Sequence, residues 1–139
     1  MWQDGSYYEG DFMHGLFNGF GVYYFKDSQK TYTGEFLDGK IEGEGEMAWE
    51  DGRNYTGQFK DGKEDGQGTY RWANGNMYIG KFMDGKMSGF AIFINMEEQT
   101  KRHGEWKDGK RIQWLSSPEA INVEASPIKK SSYLQSPTK

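Results

Sequence analysis

A block of 23 or 24 residues recurs four times along this chain and begins a fifth, and a period of that length points to a stack of similar small units. The blocks open at Tyr8-Glu9-Gly10-Asp11-Phe12, Tyr32-Thr33-Gly34-Glu35-Phe36, Tyr55-Thr56-Gly57-Gln58-Phe59 and Tyr78-Ile79-Gly80-Lys81-Phe82, and the incomplete one at Arg102-His103-Gly104-Glu105-Trp106. A second glycine follows five residues after the first, at Gly15, Gly39, Gly62, Gly85 and Gly109. A pair spaced by one residue comes next: Gly19 and Gly21, Gly43 and Gly45, Gly66 and Gly68, with Gly89 and Ala91 in block four.

Within each block, Asp-Gly or a relative separates short runs rich in aromatic and β-branched residues, which is the pattern of hairpins in series. His14-Gly15, Asp38-Gly39, Asp61-Gly62, Asp84-Gly85 and Asp108-Gly109 suit two-residue primed turns, which need positive φ at their centre. The links Asp4-Gly5, Asp51-Gly52 and Asn74-Gly75 carry the same chemistry. The fold expected is all-β: an elongated single-layer antiparallel meander without a closed globular core. Residues 1–111 form the array, as a half repeat, four repeats and a partial fifth that stops after its first strand. All 20 glycines lie at or before Gly109 and all three prolines after it, so 112–139 reads as a separate Ser-, Pro- and Lys-containing tail. Ile112, Trp114 and Leu115 are expected to fold back as a cap.

A strand-interior glycine costs about 0.5 to 1 kcal/mol against alanine, so a dozen of them require something that needs the missing Cβ. With no bulge after His14-Gly15, Phe12 faces Phe17, Gly10 faces Gly19 and Tyr8 faces Gly21. That register lays rings over glycines. Tyr8, Tyr32, Tyr55 and Tyr78, with Trp2, Trp49 and Trp72, are expected to use the room, and Gly10, Gly34, Gly57 and Gly80 are their structural partners.

Alternation puts the Tyr, Gly and Phe positions on one face together with both glycines of each Gly-x-Gly pair. The other face is polar in blocks two and three, with Thr33, Glu35, Glu42, Glu44 and Glu46, then Thr56, Gln58, Asp65, Gln67, Thr69 and Arg71. Block one instead presents Met13, Leu16, Phe20, Val22 and Tyr24, and block four Ile79, Met83, Phe90, Ile92 and Ile94. Two apolar ends on a polar strip are candidate docking sites: Phe20, Val22 and Tyr24 are expected to contact another protein, and Phe90, Ile92 and Ile94 to be covered by the chain's own tail or by a second partner.

The sequence offers no catalytic or cofactor pattern. Each Gly-x-Gly lacks the third glycine and the helix of a nucleotide loop. Asp61, Asp65 and Gly66 imitate a calcium loop, but Lys63 intervenes and Trp72 replaces the closing glutamate. His14 and His103 fall in blocks too far apart to share a metal. Glu42, Glu44 and Glu46 form a solvated row without a pocket to shift their pKa values. No enzyme activity, cofactor or metal is therefore expected. Residues 1–112 carry 14 Lys and Arg against 19 Asp and Glu, a balance that excludes phosphate-driven nucleic-acid binding. No apolar run approaches the roughly 18 residues of a membrane span. The absence of cysteine and of a signal-peptide pattern leads to a cytoplasmic expectation. The tail holds Ser126-Pro127 and Ser136-Pro137, candidate sites for a proline-directed kinase, and is expected to lie against the array or another chain. Opening with Trp2-Gln3-Asp4-Gly5, the chain begins in mid-repeat, at either a half-repeat cap or a truncation.

The succession Tyr-x-Gly-x-aromatic, Asp-Gly and Gly-x-Gly resembles the MORN (membrane occupation and recognition nexus) repeat family over residues 1–110. That resemblance implies a scaffold role: the family includes cytoskeletal and ciliary axonemal proteins such as radial-spoke components, and repeats attached to lipid kinases or methyltransferases. The expected function is thus a non-catalytic scaffold for protein-protein contacts in a cytoskeletal or axonemal assembly. The alternatives are a peripheral module binding anionic phospholipid, against which the acidic array argues, and a regulatory segment of a larger enzyme.

Overall fold

The computed structural model describes residues 5–121, which form an antiparallel sheet in strict sequence order. Its strands are β1 (Tyr7–Met13), β2 (Leu16–Phe25), β3 (Lys30–Leu37), β4 (Lys40–Trp49), β5 (Asn54–Lys60), β6 (Lys63–Arg71), β7 (Met77–Met83), β8 (Lys86–Asn95), β9 (Thr100–Lys107), β10 (Lys110–Trp114) and β11 (Glu119–Ala120). β1 to β10 each pair with the next, and β11 continues the terminal edge by pairing with β9. No helix occurs among the described residues, so the all-β meander is the fold.

The turn chemistry acts as expected inside each block. His14, Asp38, Asp61, Asp84 and Asp108 have φ of 50–55° and are each followed by a glycine at 79–85°, the two positive centres of a type I′ turn. The links between blocks differ. At Asp51-Gly52 and Asn74-Gly75 only the glycine is positive, at 106° and 95°. Gly52 donates to the Trp49 carbonyl at 3.1 Å, and Trp49 in turn to the Arg53 carbonyl at 3.0 Å, a three-residue loop closed by a glycine in the left-handed region. The Asp51 carboxylate accepts from the Arg53 amide at 3.0 Å and holds Asp51 out of the left-handed conformation that its counterpart Asp61 adopts. Neighbouring hairpins also lock at their tips: Gly39, Gly62, Gly85 and Gly109 donate to the carbonyls of Phe17, Ile41, Glu64 and Met87 at 2.8–3.0 Å.

The bulge-free register is overturned. Phe12 does pair with Phe17, but Gly10 pairs with Gly21 and Tyr8 with Tyr23, because β2 carries extra residues between Phe17 and Gly21. The same shift recurs after Gly34, Gly57 and Gly80. Its cause is a set of hydrogen bonds that no residue count reveals. Where the ladder skips, the carbonyls of Asp11, Glu35, Gln58 and Lys81 accept from the hydroxyls of Tyr8, Tyr32, Tyr55 and Tyr78 at 2.7–2.8 Å. The side chains of Asp11, Glu35 and Gln58 then accept the amides of Phe20, Glu44 and Gln67 on the bulged strand at 2.8–3.3 Å. Lys81 has no acceptor to offer, and in block four the Ser88 amide donates to the Tyr78 hydroxyl at 3.2 Å.

The two glycines of each pair consequently do different jobs, where the sequence analysis put both under a ring. Gly43 and Gly66 sit at φ 84° and 105° within the bulge, against the side chains of Glu35 and Gln58. Gly45 and Gly68 lie beneath tyrosine: a Cβ there would come within 2.5–2.6 Å of ring carbons of Tyr32 and Tyr55. Pairing joins these positions into one line, from Gly10 through Gly21, Gly34, Gly45, Gly57, Gly68 and Gly80 to Ala91 and Gly104. Over that line Tyr32, Tyr55 and Tyr78 have 0% exposure, each set edge-on against the phenylalanine of its own block at 5.0–5.1 Å. Trp49 and Trp72 pack beside Tyr70 instead, at 6.4 and 4.9 Å, and not over the glycines; Trp2 lies outside the described residues.

Burial raises the pKa of Tyr32, Tyr55 and Tyr78 above the ordinary tyrosine value, because the phenolate would be desolvated. Since the unfolded chain ionises first, the stability these hydroxyls contribute is intact below a pH of about 10 and is lost as pH rises beyond it. Alkaline titration should show tyrosinate absorbance from the buried rings appearing together with loss of β circular dichroism. Ionisation of all nine tyrosines before any loss of fold would contradict that burial.

Block five does not stop after its first strand. β10 pairs with β9 through Arg111 to Trp106 and Trp114 to Gly104, so the proposed boundary residue Arg111 sits inside a strand. Trp114 meets Trp106 edge-on at 5.9 Å and closes the aromatic face, while Ile112 and Leu115 stay 53% and 49% exposed.

Candidate protein-docking surfaces

On the face opposite the tyrosines, β2 aligns Phe20, Val22 and Tyr24 at alternate positions. Phe20 pairs with Glu35 and is 59% exposed. Val22 lies between Glu9 and Thr33, and Tyr24 pairs with Tyr7, their rings 5.5 Å apart. The Tyr24 hydroxyl donates to the Glu50 carboxylate at 3.1 Å, so this patch is partly built by block two. Near the other end, β8 places Ile92 opposite Ile79 and Ile94 opposite Met77, while Phe90, across from Glu105, is 70% exposed. Between the patches the strip is polar and includes the exposed Glu44, Glu46, Gln58 and Gln67.

His14 and Asp61 are exposed turn residues, and Asp61 pairs with Lys40 at 3.7 Å. Among the described residues no group of three or more His, Cys, Asp or Glu is placed to hold a metal ion. No helix among them is long and apolar enough to cross a membrane. Ser126 and Ser136, and the expectation that the tail lies against the array or another chain, fall outside the described residues.

The sequence analysis missed a third surface. Tyr23, Phe25, Trp49, Tyr70, Trp72 and Phe93 form a half-buried aromatic row on the tyrosine face, ending at Trp114. Cations roof it: Lys30 over Phe25 and Trp49 at 5.2 and 5.6 Å, Arg53 over Trp49 at 5.0 Å, Arg102 over Trp114 at 4.4 Å. The signal was the recurrence of a large side chain two residues after the second glycine of each pair, at Tyr23, Met47, Tyr70 and Phe93.

No curated protein matches the chain. The MORN repeat family model matches residues 8–30, 32–52, 55–77, 78–94 and 103–111, the segments whose tyrosines, bulges and glycine line build the sheet. By that match, which covers more than half of its length, the chain belongs to the MORN repeat family.

Proposed function

We propose that this chain is a non-catalytic scaffold holding partner proteins in a cytoskeletal or ciliary axonemal assembly, with Phe20, Val22 and Tyr24 as the main docking patch and Phe90, Ile92 and Ile94 as a second. MORN repeats are interaction modules, and a protein partner is favoured by the contrast along the outer face: at β2 and β8 Phe20 and Phe90 stand exposed beside the half-buried Val22, Tyr24, Ile92 and Ile94, whereas Glu44, Glu46, Gln58 and Gln67 are exposed between them. Covering one such side chain contributes about 1.5 to 3 kcal/mol, enough for three or four to hold a partner. The ciliary axonemal address is carried by the family alone.

The test is release from the native assembly, read by cross-links from Lys26 beside the first patch. Phe20→Asp with Tyr24→Ser should abolish those cross-links and leave the melting temperature near wild type; serine avoids setting a second carboxylate against Glu50. Cross-linking at wild-type level would eliminate the patch. Anionic vesicles provide the other arm, since Glu42, Glu44 and Glu46 repel an acidic headgroup layer. The protein should stay in the supernatant at physiological salt, and tight, salt-sensitive sedimentation would replace the scaffold with a lipid-binding module.

A further inference from the structure

The tyrosine face holds two grooves at equivalent places in the repeat. One, of 450 Å³, is walled by Phe17, Tyr23, Phe25 and Phe36 over Ile41, with Asp61 and its ion-pair partner Lys40 on its rim. The other, of 270 Å³, lies among Tyr70, Trp72, Phe82 and Met87, with Glu64 and Lys86 on its rim. Tyr23 corresponds to Tyr70, Phe25 to Trp72, Phe36 to Phe82 and Ile41 to Met87, two blocks along. Four strand spacings of about 4.8 Å separate the grooves by about 19 Å. An extended chain at about 3.3 Å per residue covers that distance in about six residues.

Residues 122–139 carry that spacing. Ile128 and Leu134 stand six apart, separated by Lys129-Lys130-Ser131-Ser132-Tyr133. This segment holds three lysines against one glutamate, while residues 5–121 hold 14 Lys and Arg against 19 Asp and Glu. The described chain ends within reach. The Ile121 amide donates to the Gln99 carbonyl at 2.9 Å beside β9, and β9 adjoins β8, which supplies Met87 to the second groove. From Ile121 to Ile128 seven residues span up to about 24 Å, against two or three strand spacings to cross and part of a strand's length to descend.

We propose that the C-terminal segment of the same chain docks across its own tyrosine face, with Ile128 in the groove at Trp72 and Leu134 in the groove at Phe36. Lys130, on the same side of the extended segment as Ile128 and Leu134, then passes over the carboxylate of Glu64. The segment is an intramolecular competitor for any extended peptide bearing two aliphatic side chains six residues apart with basic residues between them. The surface it covers is opposite the docking patches, so the two functions fail independently. Phosphorylation at Ser126 or Ser136 would bring negative charge to an acidic sheet and weaken the docking.

The chain has no cysteine, so Ser132→Cys gives a single attachment point for a nitroxide on the full-length protein. The indole N–H of Trp72 and the amide of Ile41 should lose most of their nuclear magnetic resonance intensity, unchanged on dilution. Adding Ile128→Asp and Leu134→Asp should restore both signals without shifting the amides of the glycine line. Equal intensities with and without those two changes, and again with the nitroxide at Gln135→Cys, would overturn the proposal. Broadening that appears only when the nitroxide and the observed nuclei are on different molecules would also overturn it, by making the occupant a second copy.

Discussion

Gly68→Val is expected to destabilise the protein by about 3 kcal/mol, the upper range for forcing a large side chain into a filled site, and Gly45→Val by as much. The sign is diagnostic. Neither glycine has the positive φ that strains an L residue, and valine is a good strand former, so without the ring the substitution would stabilise by about 0.5 to 1 kcal/mol. The ring reverses this because a Cβ on Gly68 would meet carbons of Tyr55 at 2.6 Å, and Tyr55 is wedged edge-on against Phe59 and Phe82 at 5.0 and 4.9 Å. At about 4 to 8 °C per kcal/mol for a domain near this size, the melting temperature should fall by more than about 10 °C. Gly62→Ala is the control: at φ 82° with nothing within 4 Å, it carries only left-handed strain of about 1 to 2 kcal/mol. A Gly68→Val protein melting at or above wild type would remove the ring from the glycine line.

Tyr55→Ala should cost about 3 to 5 kcal/mol, the range for emptying an aromatic site, since Tyr55 is fully buried at the centre of the array. Tyr55→Phe separates the ring from its hydroxyl. The ring keeps its packing, but the Gln58 carbonyl loses its 2.7 Å donor at the point where the bulge has already removed its ladder partner. The expected cost is about 1 kcal/mol, the low end of the penalty for an acceptor left unmade, because this bond is only part-buried. If Tyr55→Phe melts like wild type in urea and heat, another group satisfies the bulge and the hydroxyl is dispensable.

These two residues also show how far the sequence could be read. The period, the paired turns and the identity of the buried face were all visible, because each depends on residues adjacent in the chain or at fixed alternation. The bulge was not. It depends on a tyrosine hydroxyl reaching the carbonyl three residues on while that residue's side chain caps the opposite strand, and both bonds require the shifted register to exist first. Asp-Gly was read as one turn type, yet Asp61 and Asp51 diverge because Asp51 is tied to Arg53 by its own carboxylate. The second strand of block five was missed because it carries no Gly-x-Gly; there Trp114 lies within 3.0 Å of where a Gly104 Cβ would be, and tryptophan fills the space that tyrosine fills elsewhere. Of the candidate patches, alternation alone put Phe20, Val22 and Tyr24 on one face, and the extra residues of the bulge leave them there. The grooves were invisible because each lies between side chains of several strands, from Phe17 to Gly62 and from Glu64 to Gly109.

Strict strand order turns repeat number into length. Each whole block inserts two strands, so it moves everything beyond it by about 10 Å along a single axis. β2 and β8, which carry the outer apolar residues, stand six spacings apart, about 29 Å. Excising residues 55–77 would bring Tyr78 beside Met47, the position Tyr55 now occupies, and shorten that interval by one fixed increment with no new kind of junction. A sheet of this construction is a graduated spacer: the distance between its two ends changes only in whole steps, and the number of copies of one short sentence of sequence sets the reading.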